Sequence, residues 1–467
     1  MSFFATLVFG FGILVLFALY RDPRSRPSSA LWLPTIWILL AGSRMVSVWF
    51  ENPAVVVRTA SEVGEGSPLD RTILAALLMA GLIVLMCRMR RVVRILGMNW
   101  PLLAFFGYCA VSTMWSATPE LALKRWVKAI GDVVMVLIIL TDRNRMEAIK
   151  RVITRVAFIL LPLSVLLIEF YPTVGRVYSL EDGAYTNTGV TTNKNLLGVI
   201  CLVAGLACFW LFIKALRDKR RKMRNLLALG ATLATVLWLF VVADSITPLV
   251  SFLMGSALMV FVKVSGRNRT SDVHIAVGGM VAVAALLFVF PEVVVSTIHL
   301  FGRNSTLTGR TDLWKTLLAM DTHPWFGTGF ESFWLGHRLE QIWSIYVWHP
   351  NEAHNGYLEV YLNLGWAGLA LLFSLLITGY RHLIAVYRED PEAGSLRLAY
   401  FAAALVYNFA EAGFRMLDPM WIFLLLAIIA VPGATRRMKQ ETPPEEPQEF
   451  VPAGLPPEDE QVYARIR

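Results

Sequence analysis

Residues 195–214 read NLLGVICLVAGLACFWLFIK, and the basic segment RDKRRKMR follows at 217–224. An apolar run of about 20 residues is long enough to cross the hydrocarbon core of a bilayer as a helix. Lys and Arg accumulate in the cytoplasmic loops of membrane proteins, so the basic segment also indicates an orientation. Together the two segments predict a transmembrane helix whose second end faces the cytoplasm.

Apolar runs of this kind recur along the whole 467-residue chain. Hydrophobic residues make up 56% of the sequence and charged residues only 16%, with a mean hydropathy of +0.57. A soluble globular domain has about a quarter of its residues charged. The sequence therefore predicts an all-α polytopic integral membrane protein with about 12–13 transmembrane helices.

Basic loops recur on one side of the predicted helices, so the net charge of +9 reflects topology and does not indicate nucleic-acid binding. The same bias divides the chain into four segments. Residues 1–292 form transmembrane helices, and 293–354 form one large outer loop that carries short helices and the active site. Residues 355–434 return to the membrane, and the Pro- and Glu-rich tail 435–467 is expected to be disordered in the cytoplasm.

The outer loop is where polar and aromatic side chains concentrate, with five of the seven histidines and five of the fifteen tryptophans. It opens with GRNSTLTGRTDLW at 302–314, which contains Arg303 and Arg310. Guanidinium groups and the N–H groups at a helix N-terminus both favour phosphate oxygens, so these arginines are candidates for binding a diphosphate. The alternative is that both arginines reach lipid headgroups at the membrane interface.

His354 begins the motif HNGYLEVYLNLGWAG, where the next membrane helix is expected to start. An imidazole at this boundary can act as a general base near neutral pH. It can equally be a capping or interfacial residue. Asn355 beside it is a candidate for positioning substrate or for capping the helix.

Two further outer segments carry basic residues. Lys124 and Arg125 lie in TMWSATPELALKRWVKAIGD, against the usual charge bias, and are candidates for contacting a lipid phosphate. Lys128 in the same segment is also a candidate for anion binding, but Asp132 lies four residues further on and a structural ion pair between them is an equally good interpretation. Lys194 in TTNKNLLG is a candidate for substrate binding, although its asparagine neighbours also suit a capped helix start.

Several signatures of soluble enzymes are missing from the sequence, among them a P-loop, a GxSxG turn, an HExxH pair and a CxxC pair. The four cysteines lie in or beside predicted helices, which indicates neither disulfides nor a thiolate metal site. No compact acidic pair with the spacing of metal ligands is visible on the outer loop. We therefore expect arginines, and not a bound cation, to hold an anionic substrate.

The order GR-x5-GR-x3-W, HPWFGTGF and HNGYLEVYLNLGWAG resembles the O-antigen ligase and polymerase superfamily. TTNKNLLG and DSITPLVS are similar to its exopolysaccharide-polymerase branch. The resemblance spans roughly residues 100–430 and implies a GT-C-like fold and an inverting glycosyltransferase that needs no metal and no cofactor. It also implies that Arg303 and Arg310 hold the diphosphate and that His354 acts as base. Trp314 and other loop tryptophans are candidates for stacking on sugars.

The activity implied by this resemblance is polymerisation of undecaprenyl-diphosphate-linked repeat units into exopolysaccharide or O-antigen. It would take place on the periplasmic face of the bacterial inner membrane. One alternative is a ligase that transfers a lipid-linked glycan to a lipid core or a protein, and a more distant one is a transporter of lipid-linked glycan. The implied partners are the lipid-linked donor, a glycan or lipid acceptor and membrane lipid, with a chain-length regulator and a flippase as further candidates.

Overall fold

A computed structural model describes residues 2–20, 28–50, 66–180, 183–217, 222–264, 270–289 and 307–432. Arg303 and the predicted disordered tail 435–467 lie outside these ranges. The described helices are α1 (Ser2–Tyr20), α2 (Trp32–Ala41), α3 (Val46–Phe50), α4 (Pro68–Met86), α5 (Met89–Met98), α6 (Trp100–Ser112), α7 (Pro119–Leu140), α8 (Arg145–Phe170), α9 (Pro172–Gly175), α10 (Lys194–Ala215), α11 (Lys222–Ala243), α12 (Ile246–Val264), α13 (Thr270–Val289), α14 (Leu307–Ala319), α15 (Gly336–Ile345), α16 (Gly356–Glu389), α17 (Pro391–Tyr407) and α18 (Pro419–Ile428).

Among the described residues, 7 helices are long and apolar enough to cross a membrane, namely α1, α4, α8, α10, α11, α12 and α16. Helices α5 and α6 follow one another with a bend of 90° and would make an eighth if they form one span. Shorter apolar helices include α18. The all-α polytopic class is confirmed, and a total of about 12–13 spans remains a prediction.

Helix α10 lies at the centre of the bundle and packs against α8, α11, α12 and α17. Its sequence is apolar on every face, and residues from Leu197 to Ala215 are buried around most of its circumference. A helix that is hydrophobic all round is stable only where every face meets apolar atoms. Helix α1 contrasts with it, because Ala5 is its one buried residue and it packs against α8 and α11 along one side only, as in the edge-to-face contact of Phe17 with Phe158.

One short hairpin departs from the predicted all-helical pattern. Strand β1 (Arg176–Ser179) pairs antiparallel with β2 (Ala184–Asn187), with Tyr178 opposite Tyr185. The two rings contact each other edge to face at 5.4 Å between centroids. Cross-strand aromatic pairs of this kind stabilise a two-stranded ribbon that would otherwise be marginal.

The described part of the outer loop has a small hydrophobic core of its own. Leu313 and Leu317 of α14 pack with Leu339 and Ile342 of α15, and the fully buried Phe333 joins them. The spacing of these leucines and isoleucine, three to four residues apart, places them on one face of each helix. This core holds the two loop helices in a fixed position above the first turns of α16.

Helix α16 is broken at Gly365, which has φ +64° and ψ −164°. A Cβ at this position would lie 2.3 Å from the carbonyl carbon of Trp325, so only glycine fits. The HPWFGTGF segment packs against the break and supplies the missing backbone partners. The N–H groups of Trp366 and Ala367 donate to the carbonyls of Pro324 and Trp325, at 2.9 and 3.1 Å.

The same segment also binds the other side of the break. The N–H of Thr328 donates to the carbonyl of Leu362 at 3.1 Å, and that of Gly329 donates to the carbonyl of Asn363 at 2.8 Å. Unpaired backbone groups are costly where water is excluded, and this exchange satisfies those that a broken helix exposes. Two sequence motifs about 35 residues apart therefore form one structural unit that fixes the N-terminal half of α16.

Candidate active site

His354 lies immediately before α16 in a left-handed backbone conformation, with φ +48°. His354 is buried, with 7% of its surface exposed. Asn355 caps the helix, because its side-chain oxygen accepts from the N–H of Leu358 at 2.9 Å and its amide donates to the carbonyl of Phe409 at 3.0 Å. A positive φ at a residue other than glycine costs energy and is often found at functional sites. Here it turns the imidazole towards the connection between α17 and α18.

Two carboxylates meet the same ring nitrogen of His354. Nδ1 lies 3.1 Å from Oε1 of Glu352 and 3.1 Å from Oε2 of Glu411. Within the described residues, Nε2 makes no hydrogen bond. The carboxylates thus orient the ring through Nδ1, and Nε2 is left for a ligand.

Arg310 reaches the other oxygen of Glu411. Its Nη2 lies 3.1 Å from Oε1, and its Nη1 donates to the carbonyl of Ala410. The amide of Asn195 also approaches Glu411 Oε2, at 3.4 Å, and Ser245 donates to the Asn195 side-chain oxygen at 3.0 Å. Helices α14 and α10 and the α17–α18 connection therefore meet at one carboxylate.

The network continues on the other side of His354. Arg415 Nη1 donates to Glu352 Oε2 at 2.8 Å, and Arg415 Nη2 lies 4.0 Å from Glu331 Oε2. Arg125 of α7 donates to the backbone carbonyl of Glu331, which has φ +51°. Positive and negative groups alternate along this path from one side of the site to the other. Such alternation offsets much of the cost of burying charge.

The alternating charges shift the pKa values of the central groups. For His354, burial alone would lower the pKa, but the contacts with Glu352 and Glu411 outweigh it and raise the pKa to about 10. For Glu352, burial would raise the pKa, but His354 and Arg415 lower it to about 2. At neutral pH the histidine is an imidazolium and the glutamate is a carboxylate. A general base needs a neutral imidazole, which this setting disfavours.

A second acidic residue fixes the backbone just before His354. The buried Glu359 accepts from the N–H of Ala353 at 2.9 Å and from the indole of Trp334 at 2.7 Å. Asn363 donates to the same carboxylate at 3.0 Å. Asn363 Oδ1 also accepts from the backbone N–H of Ser332 and of Phe333, at 2.8 and 3.0 Å. The first turns of α16 thereby fix both loop segments that carry the charge network.

Two comparisons with known proteins show what this chain is similar to. Residues 231–373 match the family model described as O-Antigen ligase. The chain is also 25% identical over 370 residues to the "Exopolysaccharide production protein ExoQ" of Rhizobium meliloti (strain 1021), which covers 76% of this chain and 80% of that protein. The range that the family model matches contains the motifs around Arg310 and His354. The chain is thus similar to the O-antigen ligase and polymerase superfamily.

Residues from separate sequence motifs lie close together in the structure, although they are far apart in the sequence. Arg310 and His354 share Glu411, and Arg125 reaches the same network through Glu331. Glu411 and Arg415 lie beyond the segment that the family model matches.

The remaining predicted residues lie around this network. Lys124 is exposed on α7. Lys194 is the first residue of α10, next to Asn195, and Asn193 caps this helix by accepting from the N–H of Leu196 at 2.8 Å. Trp314 donates its indole N–H to the carbonyl of Ala353 at 2.6 Å. Substrate contacts of Lys124, Lys194, Asn355 and Trp314 remain predictions. The polar atoms of Asn355 and the indole N–H of Trp314 already bind groups within the protein.

The ion pair suggested by the sequence of α7 is wrong. Asp132 does not pair with Lys128, because its carboxylate accepts from the indole of Trp37 at 2.7 Å and from the N–H of Leu417 at 2.9 Å. Glu411 and Arg415, which are also four residues apart, bind different partners. Residues 408–418 form no continuous helix, so the spacing that would bring such a pair together does not apply there.

The sequence showed no compact acidic cluster, but the folded chain has one. Ligand atoms of Glu352, His354 and Glu411 lie within 4.8 Å of one another, a spacing and donor set that suit a divalent cation. Both carboxylates already bind arginines, and His354 Nδ1 holds a proton between them. A divalent ion would have to displace that proton beside Arg310 and Arg415, which makes the site electrostatically unfavourable for a metal.

Proposed function

We propose that the protein joins undecaprenyl-diphosphate-linked oligosaccharide repeat units into exopolysaccharide or O-antigen on the periplasmic face of the bacterial inner membrane. The observation that carries this proposal is the buried pair of cations, Arg310 and His354, held by the single carboxylate of Glu411. The printed name of the Rhizobium relative supports exopolysaccharide as the product class. The bias of Lys and Arg supports placing the site outside the cytoplasm.

The cations account for binding and activating the donor. Undecaprenyl diphosphate gains negative charge as the bond between the anomeric carbon and its oxygen breaks. Arg310 and the Nε2–H of the His354 imidazolium donate to this oxygen and its neighbours, and they stabilise the charge most in the transition state. Arg303, in the same motif, is proposed to bind the diphosphate with a further guanidinium group. The role of His354 is then that of a charged hydrogen-bond donor.

The acceptor hydroxyl attacks the anomeric carbon from the face opposite the leaving diphosphate, so the configuration inverts. The acceptor oxygen forms the new glycosidic bond, and undecaprenyl diphosphate leaves with the bonding electron pair. We propose that Glu352 receives the hydroxyl proton and passes it to solvent, because its side chain is 21% exposed while that of Glu411 is 3% exposed. A carboxylate with a low pKa suffices, since a hydroxyl already bonding to an electron-poor carbon is strongly acidic.

Ligation is the second candidate function, and the description of the matching family model favours it. A ligase would use the same donor and the same cations, but it would transfer a finished glycan to a lipid core or a protein. The two functions therefore differ in the acceptor and not in the charge network. Only the products distinguish them.

The test is incubation of the purified protein with lipid-linked repeat units, followed by separation of the products by size. Polymerisation gives a ladder of lipid-linked oligomers and releases undecaprenyl diphosphate. A single transfer that requires an added lipid or protein acceptor would establish ligation instead. Release in neither setting would refute glycosyl transfer.

Matched variants connect the products to the site. Arg310→Ala and His354→Ala should lose the ladder, and Lys315→Ala should retain it. Lys315 lies on the same helix as Arg310, but its side chain is 79% exposed and pairs with Asp312. Normal polymer from Arg310→Ala or His354→Ala would remove that residue from the mechanism.

A further inference from the structure

A cleft with a volume of about 710 Å³ lies between the turn that precedes α7 and the two loop helices α14 and α15. Thr118 lines it from the turn, Thr316 from α14, and His337, Arg338 and Gln341 from α15. Pockets that bind small molecules have volumes of about 300–1,000 Å³, so the space accommodates a ligand of several rings. None of these five residues belongs to the charge network around His354.

The lining of the cleft is mixed in polarity and balanced in charge. Hydroxyl, amide and imidazole groups come from Thr118, Gln341 and His337, while Met320 and Leu335 add apolar surface. Asp321 and Arg338 contribute one charge of each sign. A phosphate site would carry an excess of positive charge, and an acyl-chain site would have few polar groups. Sugar rings have many hydroxyls together with apolar faces, and they match this lining best.

One polar atom in the wall of the cleft has no hydrogen-bond partner among the described residues. Thr118 Oγ1 is buried and, within the described part of the chain, has no hydrogen-bond partner. Leaving a buried hydroxyl unsatisfied is unfavourable. Thr118 lies at the N-cap position of α7, yet its side chain makes no capping bond. Because the oxygen itself is covered, a ligand hydroxyl in the cleft would pair with it only after the side chain of Thr118 rotates.

The cleft and the charge network share two helices. Thr118 immediately precedes α7, which carries Arg125 seven residues further on, a rise of about 10 Å along the helix axis. Thr316 lies on α14 six residues after Arg310, a rise of about 9 Å. Each distance corresponds to a few sugar units or less. A glycan in the cleft therefore lies within reach of a diphosphate bound at Arg310.

We propose that this cleft binds several sugar rings of the lipid-linked substrate, and so selects the repeat unit, while the charge network binds its diphosphate. This assignment rests on the proposed glycosyl transfer. It goes further by separating recognition of the sugar from recognition of the phosphate.

Binding of the lipid-free repeat-unit oligosaccharide tests the assignment without catalysis. The full-length protein in detergent is titrated with this oligosaccharide by isothermal calorimetry. Gln341→Trp places an indole in the cleft, and Glu340→Trp is the matched control because Glu340 is exposed on the same helix and does not line the cleft. We expect Gln341→Trp to weaken binding at least tenfold, and Glu340→Trp and Arg310→Ala to bind like the wild type.

The outcomes separate the two proposals. Wild-type affinity in Gln341→Trp, with an unchanged melting temperature, would overturn the cleft assignment even if the wild type makes polymer. Absence of oligosaccharide binding in the wild type would also overturn it. Absence of glycosyl transfer in the wild type, with oligosaccharide binding that Gln341→Trp abolishes, would refute the proposed reaction and leave a glycan-binding cleft.

Discussion

Replacing Glu411 with Gln tests whether His354 acts as an imidazolium. The glutamine keeps the shape of the side chain, and its carbonyl oxygen can still accept from Arg310. It removes one of the two negative charges that lie 3.1 Å from His354 Nδ1. The variant therefore changes the charge of His354 more than the packing of the site.

The size of the effect follows from the two equal contacts. The pKa of His354 rises from 6.5 to about 10 because Glu352 and Glu411 together outweigh burial. An opposite charge this close shifts a pKa by about 1–3, so the loss of Glu411 should lower the pKa of His354 by about that amount. Near neutral pH the variant should therefore contain about tenfold more neutral His354 than the wild type, or more.

The assay is the pH dependence of kcat for release of undecaprenyl diphosphate, between about pH 6 and about pH 10.5. A diphosphate with ester groups at both ends stays fully ionised over this range, so the substrate adds no titration. Wild-type activity should be level near neutrality and fall above about pH 10, where the imidazolium is lost. In Glu411→Gln the fall should begin at a pH lower by about 1–3. Glu340→Gln, an exposed carboxylate on α15, should behave like the wild type.

Two results would refute this reasoning. A wild-type rate that rises tenfold per pH unit from about pH 7 to about pH 9 would show that neutral His354 is the active form, acting as a base. A Glu411→Gln profile identical to that of the wild type would show that Glu411 does not hold the proton on His354. Titration of isotope-labelled histidine by NMR would assign the pKa independently.

The same shift has a consequence for stability. A histidine whose pKa is raised in the folded state stabilises that state fully below its unfolded pKa, near 6.5. This contribution is lost as pH rises through about 10. The melting temperature should therefore fall in that window, and it should fall less in Glu411→Gln.

Three further predictions address other parts of the site. Arg310→Lys should lower kcat by about 10²-fold or more, because one ammonium group cannot bind Glu411, Ala410 and a phosphate together; near-wild-type turnover would contradict this. Gly365→Ala should lower the free energy of unfolding by about 1–3 kcal/mol or more, because alanine is strained at this positive φ and its Cβ would clash with the backbone of Trp325. Gly107→Ala, where nothing lies within 4 Å, is its control, and equal melting temperatures would be inconsistent with the break in α16. EDTA should leave the rate of the purified enzyme unchanged, and loss restored by a divalent ion would show that Glu352, His354 and Glu411 hold a metal.

Local sequence patterns identify some residues of the site but not others. Arg310 and His354 stand out in sequence because five of the seven histidines lie in the outer loop and because most basic residues lie in the loops on the other side of the predicted helices. Glu352 lies only two residues before His354 and could have been found by its proximity. Glu411 and Arg415 offered no such signal, since both lie more than 50 residues beyond His354 in the sequence.

The sequence by itself determined that this protein is a helical membrane protein, and it indicated which loop carries the charged groups. Both properties depend on local composition: the length of an apolar run and the bias of nearby Lys and Arg. Only the tertiary structure decided which charges meet. Glu411 is 101 residues from Arg310 and 57 from His354, and the three come together because the α17–α18 connection packs against the loop. Burial then gives these contacts their effect, since low polarity strengthens each charge pair and determines where the proton on His354 is held.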